Sequence, residues 1–186
     1  MRNRYPSSLS RLPVPLPKVW LISDARIDGR LEAAIDRLPA GSGFVFRHYH
    51  LPPAERRARF AKLIRQLRRR HHCLILSGTA AEARAWGADG AYGSSTRLAQ
   101  GPATLRLITV HSLKELGRAN RMRADAVLLS PVFPTRSHPG APSLGPVRFK
   151  LLAARALHPV IALGGMSAKR AKSHGIIRWA AIESLA

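Results

Sequence analysis

Short apolar runs alternate along this chain with longer segments in which apolar residues recur at helical spacing. The segment PAERRARFAKLIRQLRRR, for example, places Phe60, Leu63, Ile64 and Leu67 on one stripe and arginines elsewhere. Eight runs have the length and composition of a buried strand, and they cover residues 19–23, 43–49, 73–76, the stretch around 91, 105–110, 126–129, 159–163 and 178–182. The pattern predicts strands that alternate with helices.

Eight buried strands, each followed by a helix or a short connector, predict an α/β fold in which a parallel sheet closes into a (β/α)8 barrel. The chain has 186 residues, fewer than a typical barrel of this kind. We therefore expect a compact barrel with some shortened helices, above all in the connectors SSTRLAQGP and MSAKRAKSHG. The rival is an open doubly wound sheet, which would need fewer strands.

The length suits a single domain. We divide the chain into a flexible N-terminal lead, residues 1–17, and a barrel, residues 18–186. The lead carries positive charge without the apolar core of a signal peptide, and no stretch approaches the roughly 18 apolar residues of a membrane span. The single cysteine, Cys73, lies in the apolar run CLIL and is interpreted as a buried, inert thiol. A cytoplasmic protein without a membrane partner is the expectation.

The charge balance points towards an anionic partner. The chain has 31 Lys+Arg against 10 Asp+Glu, a net charge of +21, which raises the expectation of a phosphorylated metabolite or a nucleic acid. The 25 arginines and 6 lysines also fit a compositional bias that only solvates the surface. Nucleic-acid binding would be weak and salt-dependent, and no base-stacking aromatic cluster is visible, so we rank it last.

In a (β/α)8 barrel the functional site lies at the carboxyl ends of the strands. The loop LLSPVFPTRSHPGAPSLGP follows the sixth strand there, stiffened by proline. It carries the polar residues Ser130, Thr135, Arg136, Ser137 and His138, which we expect to meet a small phosphorylated substrate. The alternative is a polar surface loop that is rigid for stability.

Two other strand ends carry candidate anion-binding groups. The seventh strand ends in ALGGM, where Gly164 and Gly165 bring backbone amides close to a ligand and predict a phosphate-binding turn. Arg47, at the end of the second strand, has a guanidinium fork suited to phosphate. The neighbouring His48 and His50 are interpreted as a solvated strand end.

Further polar residues flank the strands. Asp24, at the end of the first strand together with Ser23 and Arg26, is either a candidate site residue or the cap of the helix that follows. Asp89 and Asp125 precede strands, so we expect them at the opposite end of the barrel in structural roles. His111 follows the fifth strand on the site's side, or starts the next helix together with Ser112.

With the strands placed, five segments line up in order with one family. ADAVLLSPVFPTRSHPGAPSLG resembles a strand-six signature, PVIALGGM a phosphate turn, and TVHSLKE, WGADGAYG and VWLISD three further segments of the thiamine phosphate synthase family, which includes a thiazole tautomerase. The resemblance covers nearly all of the chain after about Lys18. It implies a (β/α)8 barrel, in agreement with the strand count.

The resemblance also implies a reaction and roles for residues. A synthase of this family joins a hydroxymethylpyrimidine diphosphate to a thiazole phosphate and releases diphosphate. Arg47 would then bind the diphosphate, and Gly164 and Gly165 the thiazole phosphate. The candidate site residues are Arg47, Thr135, Ser137 and His138 as catalytic groups; Gly164, Gly165, Glu183 and Ser184 as phosphate-binding groups; and Ser77, His111, Ser130 and Arg136 as pocket residues.

The chain departs from the family's pattern at positions that bind the charged groups of the substrates or the metal ion. Val45 and Tyr49 replace a Gln and a Lys, Ser77 and Gly78 replace Asn-Asp, and Tyr92 replaces a His. A second acidic position has no counterpart in SSTRLAQ, the loop Lys becomes His138, and a Ser aligns with Glu183 beside Ser184. The resemblance implies Mg²⁺, but the usual acidic ligands are absent and no metal ligand is assigned. Arg136 or Arg97 is the hypothesised source of replacement charge.

Two functions stay open. One is the synthase reaction. The other is a barrel of the same family that binds thiazole phosphate or thiamine phosphate in a regulatory or tautomerase-like role, with His111 and His138 as the unassigned acid/base candidates. The expected partners are small phosphorylated substrates, and the sequence leaves the oligomeric state open, a homo-oligomer included.

Overall fold

The computed structural model describes residues 16–122, 124–135, 140 and 142–186. Eight strands form a closed barrel in sequence order, each pairing in parallel with the next and the eighth with the first. They are β1 (Val19–Ile22), β2 (Gly43–Phe46), β3 (Cys73–Ser77), β4 (Gly90–Gly93), β5 (Leu105–Val110), β6 (Ala126–Leu129), β7 (Val160–Ala162) and β8 (Trp179–Ala181). The predicted barrel is confirmed, and the open sheet is excluded.

The helices surround the barrel, and of the six in the described ranges five have nine residues or fewer and one has 17. They are α1 (Leu31–Arg37), α2 (Pro53–Arg69), α3 (Ala80–Ala85), α4 (Leu113–Asn120), α5 (Gly145–Ala153) and α6 (Ala168–His174), with 3-10 turns at Ala25–Arg30 and Glu183–Leu185. The connector from β4 to β5, residues 94–104, contains no helix, and α6 has seven residues. Both connectors that the sequence marked as shortened are therefore short.

Alternation along β2 shows how the barrel sorts its side chains. Phe44 and Phe46 point outwards, and the Phe46 ring packs edge-on against Phe60 of α2 with 5.3 Å between centroids. Val45 points inwards, into a cluster that fills the barrel. Successive residues of a strand face opposite sides. Arg47 therefore continues the inward series at the carboxyl end of β2.

The lower end of the barrel is filled by Trp20. The ring is fully buried, and its Nε1 donates a hydrogen bond to the Pro17 carbonyl at 2.8 Å. A Cβ atom on Gly43, the partner of Trp20 across β1 and β2, would lie 2.0 Å from that ring. Gly43 is therefore required by packing.

The acids that precede strands are structural, as predicted. Asp89 accepts hydrogen bonds from the Leu74 amide and from Arg68, and Asp125 accepts one from the Arg106 amide. They join neighbouring strands at the end of the barrel opposite the site. Cys73 is buried, as interpreted from the sequence, and this burial raises the pKa of its thiol to about 12.

Other sequence expectations have mixed outcomes. Asp24 caps the first 3-10 turn, and Ser112 caps α4. The second strand is shorter than predicted because it ends at Phe46, and His48 takes a positive φ of 39°. Residues 1–15 lie outside the described residues, so the flexible lead stays a prediction. No helix of the described ranges is both long and apolar enough to cross a bilayer.

Replacing Gly43 by alanine tests the packing of the lower barrel. The added methyl group overlaps the buried Trp20 ring, and we expect a loss of about 1–3 kcal/mol in the free energy of unfolding. Urea denaturation measures it. Gly29→Ala is the matched control because a Cβ there meets nothing within 4 Å, and it should stay within about 0.5 kcal/mol of the parent. Equal stability of the two variants would contradict this account of Gly43.

Candidate functional site

A cavity of about 810 Å³ opens at the carboxyl ends of the strands. Its wall is built from residues at or after the carboxyl ends of β1, β2, β4, β5, β6, β7 and β8. Candidate residues in it are Arg47, His111, Ser130, Thr135, Gly164, Gly165, Glu183 and Ser184. Arg136, Ser137 and His138 lie outside the described residues, so their predicted roles stay predictions.

The glycine turn after β7 is pressed against the loop after β6. Val132 donates its amide to the Leu163 carbonyl at 2.8 Å, and Phe133 donates to the Gly164 carbonyl at 3.0 Å. Gly164 and Gly165 have φ angles of 96° and 58°. A Cβ on Gly164 would lie 2.6 Å from Pro131. Both glycines are therefore needed for the backbone conformation and the close approach of the two segments.

The glycine turn also leaves donors available. Within the described part of the chain, the amide N–H groups of Gly165 and Met166 have no acceptor. Ser184, from the segment after β8, donates its hydroxyl to the Met166 carbonyl at 2.8 Å. The Arg170 side chain donates to the Gly165 carbonyl and lies over the Phe133 ring at 4.7 Å. Cations and free amides suit an anion at this turn.

Glu183 differs from the other predicted phosphate-binding residues. Its carboxylate accepts a hydrogen bond from Arg26 at 2.8 Å, and Arg26 also bonds to Asp24. An ionised carboxylate only accepts hydrogen bonds and repels a phosphate. Phosphate contact by Glu183 or Ser184 therefore stays a prediction, and for Glu183 it would have to act through Arg26.

The backbone of Arg47 is held from both sides. Its amide donates to the Ser23 hydroxyl at 2.8 Å, and its carbonyl accepts a hydrogen bond from Arg56 at 2.8 Å. Arg56 also donates to the Ser77 carbonyl at 2.6 Å and lies over the Tyr49 ring. Burial lowers the pKa of Arg56. This arginine therefore braces the ends of β2 and β3 beneath the cavity wall.

Sequence reasoning missed Arg56, although a signal was present. Arg56 lies four residues before Phe60, on the stripe of α2 that continues through Leu63 and Leu67 into the core. A cation on an apolar stripe marks a charge that points into the protein.

His48 corrects the sequence interpretation. It is 1% exposed, so describing it as part of a solvated strand end is wrong, whereas His50 is exposed as expected. The positive φ turns its ring onto Phe46, with centroids 4.6 Å apart. The Nδ1 atom lies 2.8 Å from the Ser23 hydroxyl and Nε2 lies 2.8 Å from Asp28.

The bonds around His48 have one consistent direction. Ser23 accepts from the Arg47 amide and donates its proton to Nδ1, and Nε2–H donates to Asp28. Burial lowers the pKa of His48 although Asp28 opposes the shift, which favours this neutral ring. The chain of bonds ends at Asp28, which Arg59 also holds. His48 therefore contributes to the position of Arg47.

Ser77 lies behind the wall, not in it. It is 1% exposed, and its hydroxyl forms a hydrogen bond with the Tyr49 hydroxyl. Beside it, the space that a Cβ on Gly78 would enter is occupied by Glu82 Oε2, at 2.8 Å. Glu82 bonds to the amide and hydroxyl of Thr79 and completes the cap of α3.

The cavity wall does not fit Mg²⁺. A hard cation needs carboxylate or other oxygen ligands. Glu183 supplies the carboxylate among the described wall residues, and Arg26 already engages it. Donor atoms of Asp28, His48 and His50 lie within 4.8 Å of one another, but the Asp28 oxygen is taken by His48 and Arg59. This group is not part of the wall.

The protein is thus a (β/α)8 barrel with an arginine-lined cavity at the carboxyl ends of its strands, next to a glycine turn. The model of the family described as thiamine monophosphate synthase matches residues 19–185. The chain belongs to this family, and the resemblance read from its motifs is confirmed.

Individual relatives agree with this family. The chain is 30% identical over 167 residues to the putative thiamine-phosphate synthase 2 of Aquifex aeolicus, across 84% of this chain and 89% of the relative. The structure resembles thiamine phosphate pyrophosphorylase of Pyrococcus furiosus, with a TM-score of 0.75 and 23% identity over 89% of this chain and 85% of that one. It also resembles thiamine phosphate pyrophosphorylase of Bacteroides thetaiotaomicron, with a TM-score of 0.59 and 15% identity over 91% of this chain and 84% of that one. At these levels of sequence identity, the two structural matches establish the fold alone.

His48→Gln tests the buried imidazole through pH. The folded pKa of His48 is lowered, so below the ordinary value of 6.5 the unfolded chain takes up a proton that the folded chain does not. Stability therefore falls as the pH decreases from 7 to 5, by up to about 1.4 kcal/mol per pH unit for one such group.

Unfolding experiments at pH 5, 6 and 7 measure how the free energy of unfolding changes with pH. In the His48→Gln variant, the part of this change that comes from His48 should be absent. His72, which is shifted in the same direction, and Asp28, which titrates at lower pH, are present in both proteins. An unchanged slope in His48→Gln would contradict the neutral, buried His48.

Proposed function

We propose that this protein joins a hydroxymethylpyrimidine diphosphate to a thiazole phosphate and releases diphosphate. The observation that carries the proposal is a cavity with two anion-binding features. One is the Gly164–Gly165 turn with its free amides, and the other is Arg47 at the end of β2. Family membership supports the same reaction.

The reaction makes modest demands on the protein. The bond between the pyrimidine methylene carbon and the diphosphate oxygen breaks, and the electron pair leaves with diphosphate. The lone pair of the thiazole nitrogen then forms the new C–N bond. No protein nucleophile takes part, so catalysis consists of holding both substrates in line and stabilising charge on the leaving group.

Arg47 is the residue to which we assign charge stabilisation. Its backbone is fixed by Ser23 and Arg56, so the side chain starts from a constrained position. A preorganised guanidinium aimed at developing negative charge needs little reorganisation during the reaction. We assign the thiazole phosphate to the amides of Gly165 and Met166.

Residues after β5 and β6 would contact the rings. Thr135 and Ser130 line the cavity, and His111 Nδ1 lies 2.9 Å from the Ser130 carbonyl and 3.2 Å from its hydroxyl. His111 is thereby oriented towards the loop after β6. Contacts from Arg136, Ser137 and His138 belong to the proposal as well.

One observation favours a second candidate function. The positions where the family carries Lys and Asn hold Tyr49 and Ser77, whose hydroxyls bond to each other, and Tyr92 replaces a His. A barrel with this wall would bind thiazole phosphate or thiamine phosphate without diphosphate chemistry. His111 is then the acid/base candidate of the described wall for a tautomerase-like step.

Formation of thiamine phosphate from the two phosphorylated precursors decides between these candidates. We expect product by chromatography with the purified protein. Arg47→Gln should lower kcat/KM by about 100-fold or more because it removes charge stabilisation from the leaving group. Arg84→Gln, on the exposed face of α3 and outside the wall, should retain the parent value.

The other outcomes are informative as well. Binding of thiamine phosphate by calorimetry without any turnover, with Mg²⁺ or with EDTA, would favour the second candidate. Absence of both binding and product would overturn both candidates.

A further inference from the structure

Two arginines of the cavity wall, Arg47 and Arg97, have no ion-pair partner among the described residues, although the Arg47 guanidinium lies 5.5 Å from the centroid of the Tyr49 ring. Within the described ranges, neither guanidinium group forms a hydrogen bond or an ion pair. Other arginines do pair with acids: Arg26, in the same wall, with Asp24 and Glu183, Arg59 with Asp28 and Glu32, and Arg68 with Asp89. Among the described arginines of the cavity wall, Arg47 and Arg97 are therefore the two whose guanidinium groups have neither a hydrogen bond nor an ion pair.

The two arginines share one side of the cavity mouth. Arg47 follows β2, Arg97 follows β4, and only β3 separates these strands in the barrel. A Cβ on Gly93 would lie 3.2 Å from Arg97 Cδ, so the glycine gives the Arg97 stem room to cross the strand end. The Tyr49 and Tyr92 side chains lie in the same part of the wall.

No carboxylate of the described wall compensates this side. Glu183 lies after β8, next to β1, and its carboxylate is engaged by Arg26. Behind the wall, Arg56 adds a positive charge next to the Tyr49 ring, and Glu82, which caps α3 after β3 and interacts with Arg56 and Arg97, adds a negative one. Like charges held around a concave surface repel one another, and a bound polyanion relieves that repulsion.

We propose that Arg47 and Arg97 form a diphosphate-binding subsite that works without a divalent cation. Two guanidinium forks can each bind phosphoryl oxygens in bidentate fashion and supply the positive charge that carboxylate-held Mg²⁺ would otherwise bring. The inference rests on the proposed function for the identity of the anion. The subsite itself follows from the wall, which offers unpaired cations and no available carboxylate.

Calorimetric titration with inorganic pyrophosphate tests the subsite on the purified full chain. At about 0.15 M salt, where the Debye length is about 8 Å, we expect binding in EDTA at least as tight as in Mg²⁺. Arg47→Gln and Arg97→Gln should each weaken binding about tenfold, since each removes charge-assisted hydrogen bonds.

Arg84→Gln is the control for the high net charge, because it removes one positive charge away from the cavity. Its dissociation constant should stay within about twofold of the parent value. An equal loss in Arg84→Gln and Arg97→Gln would overturn the proposal in favour of non-specific attraction. Binding that requires Mg²⁺, or no binding, would overturn it as well.

The result separates this inference from the reaction. Pyrophosphate binding in EDTA without formation of thiamine phosphate would leave the subsite standing and reject the reaction. Product formation that depends strictly on Mg²⁺ would support the reaction and reject the metal-independent subsite.

Discussion

Closure of eight parallel strands into a barrel gives every strand an inner and an outer face. Successive residues alternate between these faces, and this alternation determines which side chains reach the cavity at the carboxyl ends of the strands. The interior is filled from below by Trp20, for which Gly43 leaves room, and then by Val45 and its neighbours. Because β2 carries Phe44 and Phe46 outwards, Arg47 emerges into the mouth and His48 turns back towards the outer layer. If the register of β2 were shifted by one residue, Arg47 would point towards the outer layer and His48 into the cavity.

The distribution of acids determines the electrostatics of the mouth. Of the ten acidic residues, all within the described ranges, eight accept a hydrogen bond from the protein: Asp24, Asp28, Glu32, Glu82, Asp89, Glu115, Asp125 and Glu183. They cap helices, join strands or hold arginines. These eight carboxylates are thus engaged in the scaffold, and apart from Glu183, which Arg26 holds, the polar groups of the described cavity wall are cations, glycine amides, hydroxyls and the His111 imidazole.

Features governed by local pattern could be predicted from the sequence. Runs of apolar residues gave the strands, and the position of Asp89 and Asp125 before strands placed them at the structural end of the barrel. The network around His48 was not accessible in this way. Its partners, Ser23 and Asp28, are 25 and 20 residues away, and its positive φ is a backbone conformation that a histidine does not signal in a sequence.

The hydrogen bonds that join the loop after β6 to the turn after β7 have an evolutionary consequence. Pro131 can approach so closely only because position 164 is a glycine, and the Pro134 carbonyl approaches Gly165 in the same way. A substitution in one segment therefore changes the space available to the other. Across descendants of this chain, the two segments should vary as a unit, while the arginine-bearing side of the mouth can diverge independently.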